Sequence, residues 1–562
     1  MESTKKRIGL IVTLAGPLAT LAISPVANFD PINPIKLIFI TTLGFYCIGI
    51  LVAERSILKL SITSLQRVSF ISFFVALLLP LLFSGAPLTQ QIWGSFGRNT
   101  GFLTYLSFLF ILISVCIIQN PELYRRILLA LIFTSAIVSA YCIIQIADLD
   151  PISWSLHDTF GTLGNTNFLS AFLGISGLAC FVVVLDKTFK KKTRVLTLFI
   201  SLLEFFIALS TKSIQGVMIY LAGLGILIAF LIKTSKKLKL FFIPYSILSV
   251  TSLLGVVSAL FNKGPLANLI FQPSILYRAD YMHAGWKMTL LRPFYGVGMD
   301  SYGDWYREVR GSISTLRTGP DRTANTAHNI FLDISSNGGF PLLVAYLFIL
   351  FLAFRGAIIS VKNRPLNSCV IPLVTFICWL AYQFQSLISI NQVGVGIWGW
   401  ILSGILIGYG NSSKIKANED LNFSKAPRRL KLKKSTSKMS PSVSLISILT
   451  MFIGFILAYI PQSADMRFKS AIQTRNLDKM ISSTHVLGST AWHLNQVINA
   501  AITSGYANLA IPLDLQLRTK YPRDFYGWKV LYLLPSSTPA EKANAIAMLK
   551  KLDPYNPEIK KN

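Results

Sequence analysis

A repeated length does most to constrain this chain. Apolar runs of roughly 17–20 residues, the number an α-helix needs to cross about 30 Å of hydrocarbon, follow one another through most of the sequence. They lie at about 8–25, 35–53, 68–86, 102–119, 127–147, 167–186, 195–210, 215–232, 241–260, 341–356, 370–388, 395–411 and 443–461, roughly 13 crossings. Backbone groups in lipid have no water to bond, so runs of this kind are expected as helices. Charged residues make up 14% of the 562, against about a quarter in soluble domains. The expected fold class is an all-α polytopic membrane protein.

The formal net charge of +29 would suit a nucleic-acid surface, so its placement decides its meaning. Every second connection between the apolar runs is basic: Lys5-Lys6-Arg7, Arg125-Arg126, Lys190-Lys191-Lys192, Lys236-Lys237, Lys362/Arg364 and the stretch Lys414 to Lys438. The connections between them at Val26–Pro34, Asp148–Asn167 and Ile390–Val395 carry no Lys or Arg. That alternation is a topology signal rather than a nucleic-acid site. It predicts a cytoplasmic N-terminus, with residues 262–340 and the stretch after Pro461 on the outer side. The first run, Ile8 to Val26, has no small-residue cleavage site and reads as a retained signal-anchor. All six cysteines (Cys47, Cys116, Cys142, Cys180, Cys369, Cys378) fall in or beside the runs, which argues against a disulfide framework or a Cys/His metal site.

Four regions are expected. Residues 1–410 form a membrane body of about 12 spans that encloses an extracytoplasmic loop, 262–340. Residues 411–442 are a basic cytoplasmic linker whose charges suit anionic lipid head groups. Residues 443–461 are a further span, and 462–562 a small extracytoplasmic helical domain. In that domain helices are expected at 464–482, 491–504 and 540–552. A tetratricopeptide-like array of paired helices and a simple helical cap both remain open readings. Within the loop, a helix is predicted over 275–291, ending at Pro293. Asp300 is expected to cap a short helix through Tyr306 and Val309. Thr326 is expected to cap another over 327–336, ended by Gly338-Gly339 and Pro341, with His328 in its first turn.

The loop also holds the densest cluster of chemistry-bearing residues. The stretch Tyr277-Arg278-Ala279-Asp280, Trp286-Lys287, Arg292-Pro293-Phe294-Tyr295-Gly296-Val297-Gly298, Ala327-His328-Asn329 and Asn337-Gly338-Gly339-Phe340-Pro341 resembles the signature of the O-antigen ligase and polymerase family. Two shorter marks agree: Gly97-Arg98-Asn99-Thr100-Gly101 is similar to that family's R-x-x-G, and Phe160-Gly161-Thr162-Leu163-Gly164-Asn165-Thr166-Asn167 to its F-G-N-x-N. The resemblance covers about residues 1–410 and rests on some 80 of them. It implies a GT-C-type glycosyltransferase on the outer face of a bacterial cytoplasmic membrane. Such enzymes pass a glycan from undecaprenyl pyrophosphate to an acceptor hydroxyl on a glycolipid (lipopolysaccharide core), a growing polysaccharide or a protein.

The residues suit that chemistry. A pyrophosphate leaving group gathers charge that forked guanidinium groups stabilise, and an acceptor hydroxyl needs a base near neutral pH, where imidazole titrates. We therefore expect His328 as the base or acceptor-orienting group, Asn329 beside it as a substrate-binding residue, and Arg278 as the pyrophosphate clamp. Structural alternatives are a capping role for His328 and an Arg278–Asp280 ion pair; His283 is a rival base. The family's Ser-Arg in the turn after the seventh span is replaced here by Ser210-Thr211-Lys212-Ser213-Ile214-Gln215. Lys212 and Gln215 are the expected substitutes, with Arg98 completing the anion site. Asp158 and His157 are further candidates for the lining, and Glu204, deep in the seventh span, for a groove or an interhelical bond. No paired carboxylates of metal-site spacing occur in the loop, so neither metal nor cofactor is expected. A lipid-linked glycan transporter and an envelope scaffold are the competing readings.

Overall fold

The structure, a computed structural model, describes residues 2–154, 158–362, 366–422 and 440–560. His157, Arg364 and most of the linker, 423–439, lie outside the described residues. Among the described residues all regular secondary structure is helical. Eleven helices are long and apolar enough to cross a membrane. With Phe102–Ile118, of 17 residues, and Glu2–Leu21 they account for every apolar run in the sequence.

The body is built around Val393–Asn422, whose residues 393–410 are all buried. Ile330–Val361, Phe102–Ile118, Leu366–Ser386 and Glu2–Leu21 surround it. Small residues make this enclosure possible, because apolar burial alone does not pull helices together in lipid and close backbone approach must do so. A methyl group at Gly399 would strike the Tyr382 ring, and one at Gly408 the Tyr124 hydroxyl. Asn33–Ala53 lies on the other flank, along Pro441–Gln473.

Two proline-containing helices differ from the sequence expectation. Pro441–Gln473 is one helix of 33 residues and continues through Pro461, where a boundary was expected. Proline at 461 leaves the Leu457 carbonyl without its helical donor, and the Trp93 indole Nε1 donates to that carbonyl at 2.8 Å. Likewise Gly338-Gly339 and Pro341 do not end a helix. Ile330–Val361 runs through them with a kink at Gly339, where φ is +74° and ψ −177°. Pro341 frees the Asn337 carbonyl, which accepts from Gly298 N at 3.1 Å; Ser336 O accepts from Val297 N at 2.8 Å, and Phe340 N donates to Pro293 O at 2.7 Å. The Pro293–Gly298 turn is thus hydrogen-bonded into the gap of a broken span. Gly296 at φ +65° belongs to the same contact, since a side chain there would meet the Asn337 backbone.

The loop helix forms as expected, over Pro273–Leu291. Beyond Gln473 the structure has helices Leu477–Thr484, Ala491–Thr503, Ala507–Lys520, Phe525–Leu533 and Pro539–Leu552; the third and fourth were not anticipated, and the helix expected over 464–482 is broken between Gln473 and Leu477. The first four pack around a core that includes Phe468, Leu494, Val497 and Leu517, and the last packs on the fourth through Trp528, Leu531, Leu549 and Leu552. The last of them is tied to the loop. Asp553, buried, takes Arg310 on both oxygens, Nη2 at 2.6 Å and Nε at 3.2 Å, and Arg307 Nη1 at 3.0 Å. The helix Val393–Asn422 also extends past residue 410, where the linker was expected to begin.

Candidate functional site

Several chain segments meet at one cavity, among them the turn that follows Trp93, the loop helix with the turn ahead of Ile330, and the connection around 388–392. The space is about 1160 Å³, open to one side, and its wall includes Arg98, Arg278, His328, Gln215, Asn391 and Gln392.

His328 reaches it from a strained backbone. It is not in the first turn of a helix, as expected, but directly precedes the N-cap residue Asn329, with φ +52°. A left-handed non-glycine residue is uncommon and persists where its surroundings over-determine it. Two bonds do so here. Asn329 Oδ1 accepts from Leu332 N at 3.1 Å as the helix cap, and Ala327 N donates to Asp333 Oδ1 at 2.6 Å. Thr326 does not cap this helix; its hydroxyl accepts from His328 N at 3.4 Å. Asn329 Nδ2 donates to the Leu387 carbonyl at 3.0 Å, so its side chain ties the turn together and lies outside the cavity lining. The His328 ring lies 5.3 Å from the Tyr281 ring. Burial, then the Arg278 and Arg98 guanidinium groups, push its imidazole down to about 3. The ring is therefore neutral across the physiological range.

Arg278 comes from the loop helix, and its guanidinium has no hydrogen bond or ion pair among the described residues. Asp280, its alternative partner, is taken by Arg317 at 2.7 Å. Arg98 is held differently. Asp300 caps no helix; its Oδ2 accepts from Ser95 N at 2.8 Å and Thr100 N at 3.2 Å, which closes the turn carrying Arg98. Arg98 Nη2 donates to Asn325 Oδ1 at 2.6 Å. Burial lowers both guanidinium groups, which stay charged because arginine starts above 12.

Gln215 stands at the start of Ile214–Thr234, is 2% exposed, and faces the same cavity. Its Nε2 donates to Gln385 Oε1 at 3.3 Å, while its own Oε1 is buried without a partner. Lys212, in the same turn, is exposed and is not part of the lining. His283 is exposed and also outside it. Glu204 is bonded within the helices, accepting from Ser176 Oγ at 2.8 Å. Asp158 does not line the cavity.

Sequence reasoning missed several members. Asn391 and Gln392 each keep a buried amide atom unpaired, Oδ1 and Nε2, at the cavity wall. Their signal in the sequence is a polar Asn-Gln pair at the mouth of the buried central helix. Asp30 and Asn33, from the turn between Glu2–Leu21 and Asn33–Ala53, also line it, and nothing in their spacing pointed there. Together these groups offer permanent cations for an anion, a neutral imidazole, and amides suited to hydroxyl groups.

A family model described as O-antigen ligase matches residues 158–347, a stretch that contains Gln215, Arg278, His328 and Asn329. No curated protein matches the chain.

Proposed function

On the premise that residues 158–347 form an O-antigen ligase family domain, we propose that this chain is an extracytoplasmic glycosyltransferase. It moves a glycan from undecaprenyl pyrophosphate to an acceptor hydroxyl, in the manner of a ligase or repeat-unit polymerase. The observation that carries the proposal is Arg278, a cation without a counter-ion, facing a cavity shared with Arg98 and an uncharged His328.

In this reading the two guanidinium groups receive the pyrophosphate. Its negative charge offsets theirs, so the imidazole that they held down becomes more basic when donor binds. The acceptor oxygen attacks the anomeric carbon and forms the new glycosidic bond. The bond from that carbon to the phosphate oxygen breaks, its electron pair leaves on undecaprenyl pyrophosphate, and the acceptor proton passes to His328 Nε2 or Nδ1. Arg278 and Arg98 stabilise the charge that develops on the leaving group. Gln215, Asn391 and Gln392 supply hydrogen bonds to the sugar or phosphate oxygens.

The test is transfer by purified protein in detergent, with an undecaprenyl-pyrophosphate-linked oligosaccharide as donor. Removing one preorganised charge partner typically costs 10²–10³ in rate, so Arg278→Ala and His328→Ala are each expected to fall about 100-fold or more. Wild-type rates in both variants would overturn the assignment of this cavity.

A further inference from the structure

A second cavity lies directly behind the first, and the two share Phe96 and Asn325 in their walls. It measures about 970 Å³, and much of it is built by residues far beyond the matched domain: Pro461, Asp465, Ser489, Trp492, His493 and Tyr521. Its polar groups are unsatisfied to an unusual degree. Ser95 Oγ, Ser489 Oγ, Asp465 Oδ1 and His493 Nε2 are all buried, all line this space, and none has a hydrogen-bond partner among the described residues. Asp465, Ser489 and His493 are 1%, 2% and 2% exposed. A buried polar group left unpaired is costly, and four converging on one space mark a place made for a polar ligand.

The protonation pattern narrows the ligand. His493 Nδ1 accepts from Thr490 N at 3.1 Å, so its proton resides on Nε2, which is a donor. Asp465 Oδ2 accepts from Asn28 Nδ2 at 3.0 Å and Asp30 N at 3.1 Å, leaving Oδ1 turned the other way. Nε2 and Oδ1 then stand 3.6 Å apart, just beyond a hydrogen bond. A hydroxyl oxygen at about 2.8 Å from each would accept from one and donate to the other. Asp300 and Asp304 bring further carboxyl groups, and no Lys or Arg lines the space, so an anion would meet no counter-charge. Trp93, Trp492 and Tyr521 supply apolar surface of the kind that covers the CH faces of sugar rings. The first cavity has the opposite character, with two guanidinium groups.

We propose that this second cavity is the acceptor subsite and that it binds a saccharide without acidic groups. One hydroxyl bridges Asp465 Oδ1 and His493 Nε2, and the neighbouring sugar reaches past Phe96 toward His328. The proposal rests on the transferase reading above. It assigns the region after Pro461 a direct part in choosing the acceptor.

The experiment uses the full chain in detergent and two probes, the phosphate-free neutral oligosaccharide of the donor and an oligosaccharide of equal length ending in a uronic acid. Binding is followed by saturation-transfer difference NMR, and donor cleavage by release of undecaprenyl pyrophosphate. Ser489→Phe fills the cavity; Asp465→Asn keeps its shape and replaces an acceptor by a donor. Both are expected to weaken binding of the neutral probe at least tenfold and to raise by a like factor the acceptor concentration needed for half-maximal release of undecaprenyl pyrophosphate. Equal binding in wild type and both variants, no binding by wild type, or preference for the uronic acid would each overturn the subsite. Neutral-probe binding that follows the variants, in a wild type that cleaves no donor, would sustain the subsite and overturn the transferase reading instead.

Discussion

The titration of one group at the first cavity is set by its neighbours. His328 is held at about 3 by burial and by the Arg278 and Arg98 charges. Its neutral form therefore persists far below pH 6.5, and it should impose no acid limb on kcat/KM above about pH 5. Arg278→Gln removes one cation and should move such a limb upward in the pH–rate profile of the variant, while burial, the larger cause, still holds the imidazole below its ordinary value. The sign for stability follows from the same shift. The unfolded state takes up the proton first, so the contribution of the neutral ring is complete above pH 6.5 and is lost as pH falls toward 3. Asp553 is the clearest single-residue test of packing. Asp553→Ala would leave Arg310 buried without its carboxylate, at about 3–5 kcal/mol, and thermal unfolding in detergent should shift down accordingly. Placement at the cavity was legible to the extent that a motif carried it. Arg98, Arg278, His328 and Gln215 stood out in the sequence and meet at one cavity. Asn329 belonged to the same motif, yet its side chain serves as a cap, and adjacency in sequence could not separate the two uses.

At the level of elements, the apolar runs were readable because lipid leaves helix as the available solution, and their lengths follow the bilayer. What could not be read was where a proline interrupts. Pro461 and Pro341 each free a carbonyl that is satisfied from a distant segment, by Trp93 in one case and Gly298 in the other. A local rule has no access to either partner. Gly339 holds the second junction in a conformation reserved for glycine. Gly339→Ala should cost about 1–3 kcal/mol of strain and also collide with the Pro293 carbonyl, 2.6 Å from the added carbon. We expect membrane insertion to survive and the Pro293–Gly298 turn to detach, seen as faster hydrogen exchange at Val297 and Gly298.

For the whole molecule, the net charge of +29 is spread mostly over the connections between the apolar runs, and only a few charged groups line the cavities. The region after residue 440 is not an appendage: Pro441–Gln473 covers Asn33–Ala53, and the helices beyond it wall the second cavity and hold Arg310. A chain cut after Gly410 is therefore expected to lose acceptor transfer while keeping its membrane body, measured by transfer alongside gel filtration in detergent. Full activity and unchanged acceptor choice in that truncated protein would refute the assignment. The helical character of this region was visible in its periodicity; its attachment was not, because Trp93–Leu457 and Arg310–Asp553 join residues hundreds of positions apart.

The Asp553 contact also sets an order in time. Arg307 and Arg310 belong to the loop that carries the first cavity, and the carboxylate that settles them is translated more than 240 residues later. During synthesis the long helices can form while that loop still waits, its two guanidinium groups without the carboxylate that is later buried with them. A nascent chain stalled before residue 553 would therefore hold its membrane-spanning helices with the loop still unanchored.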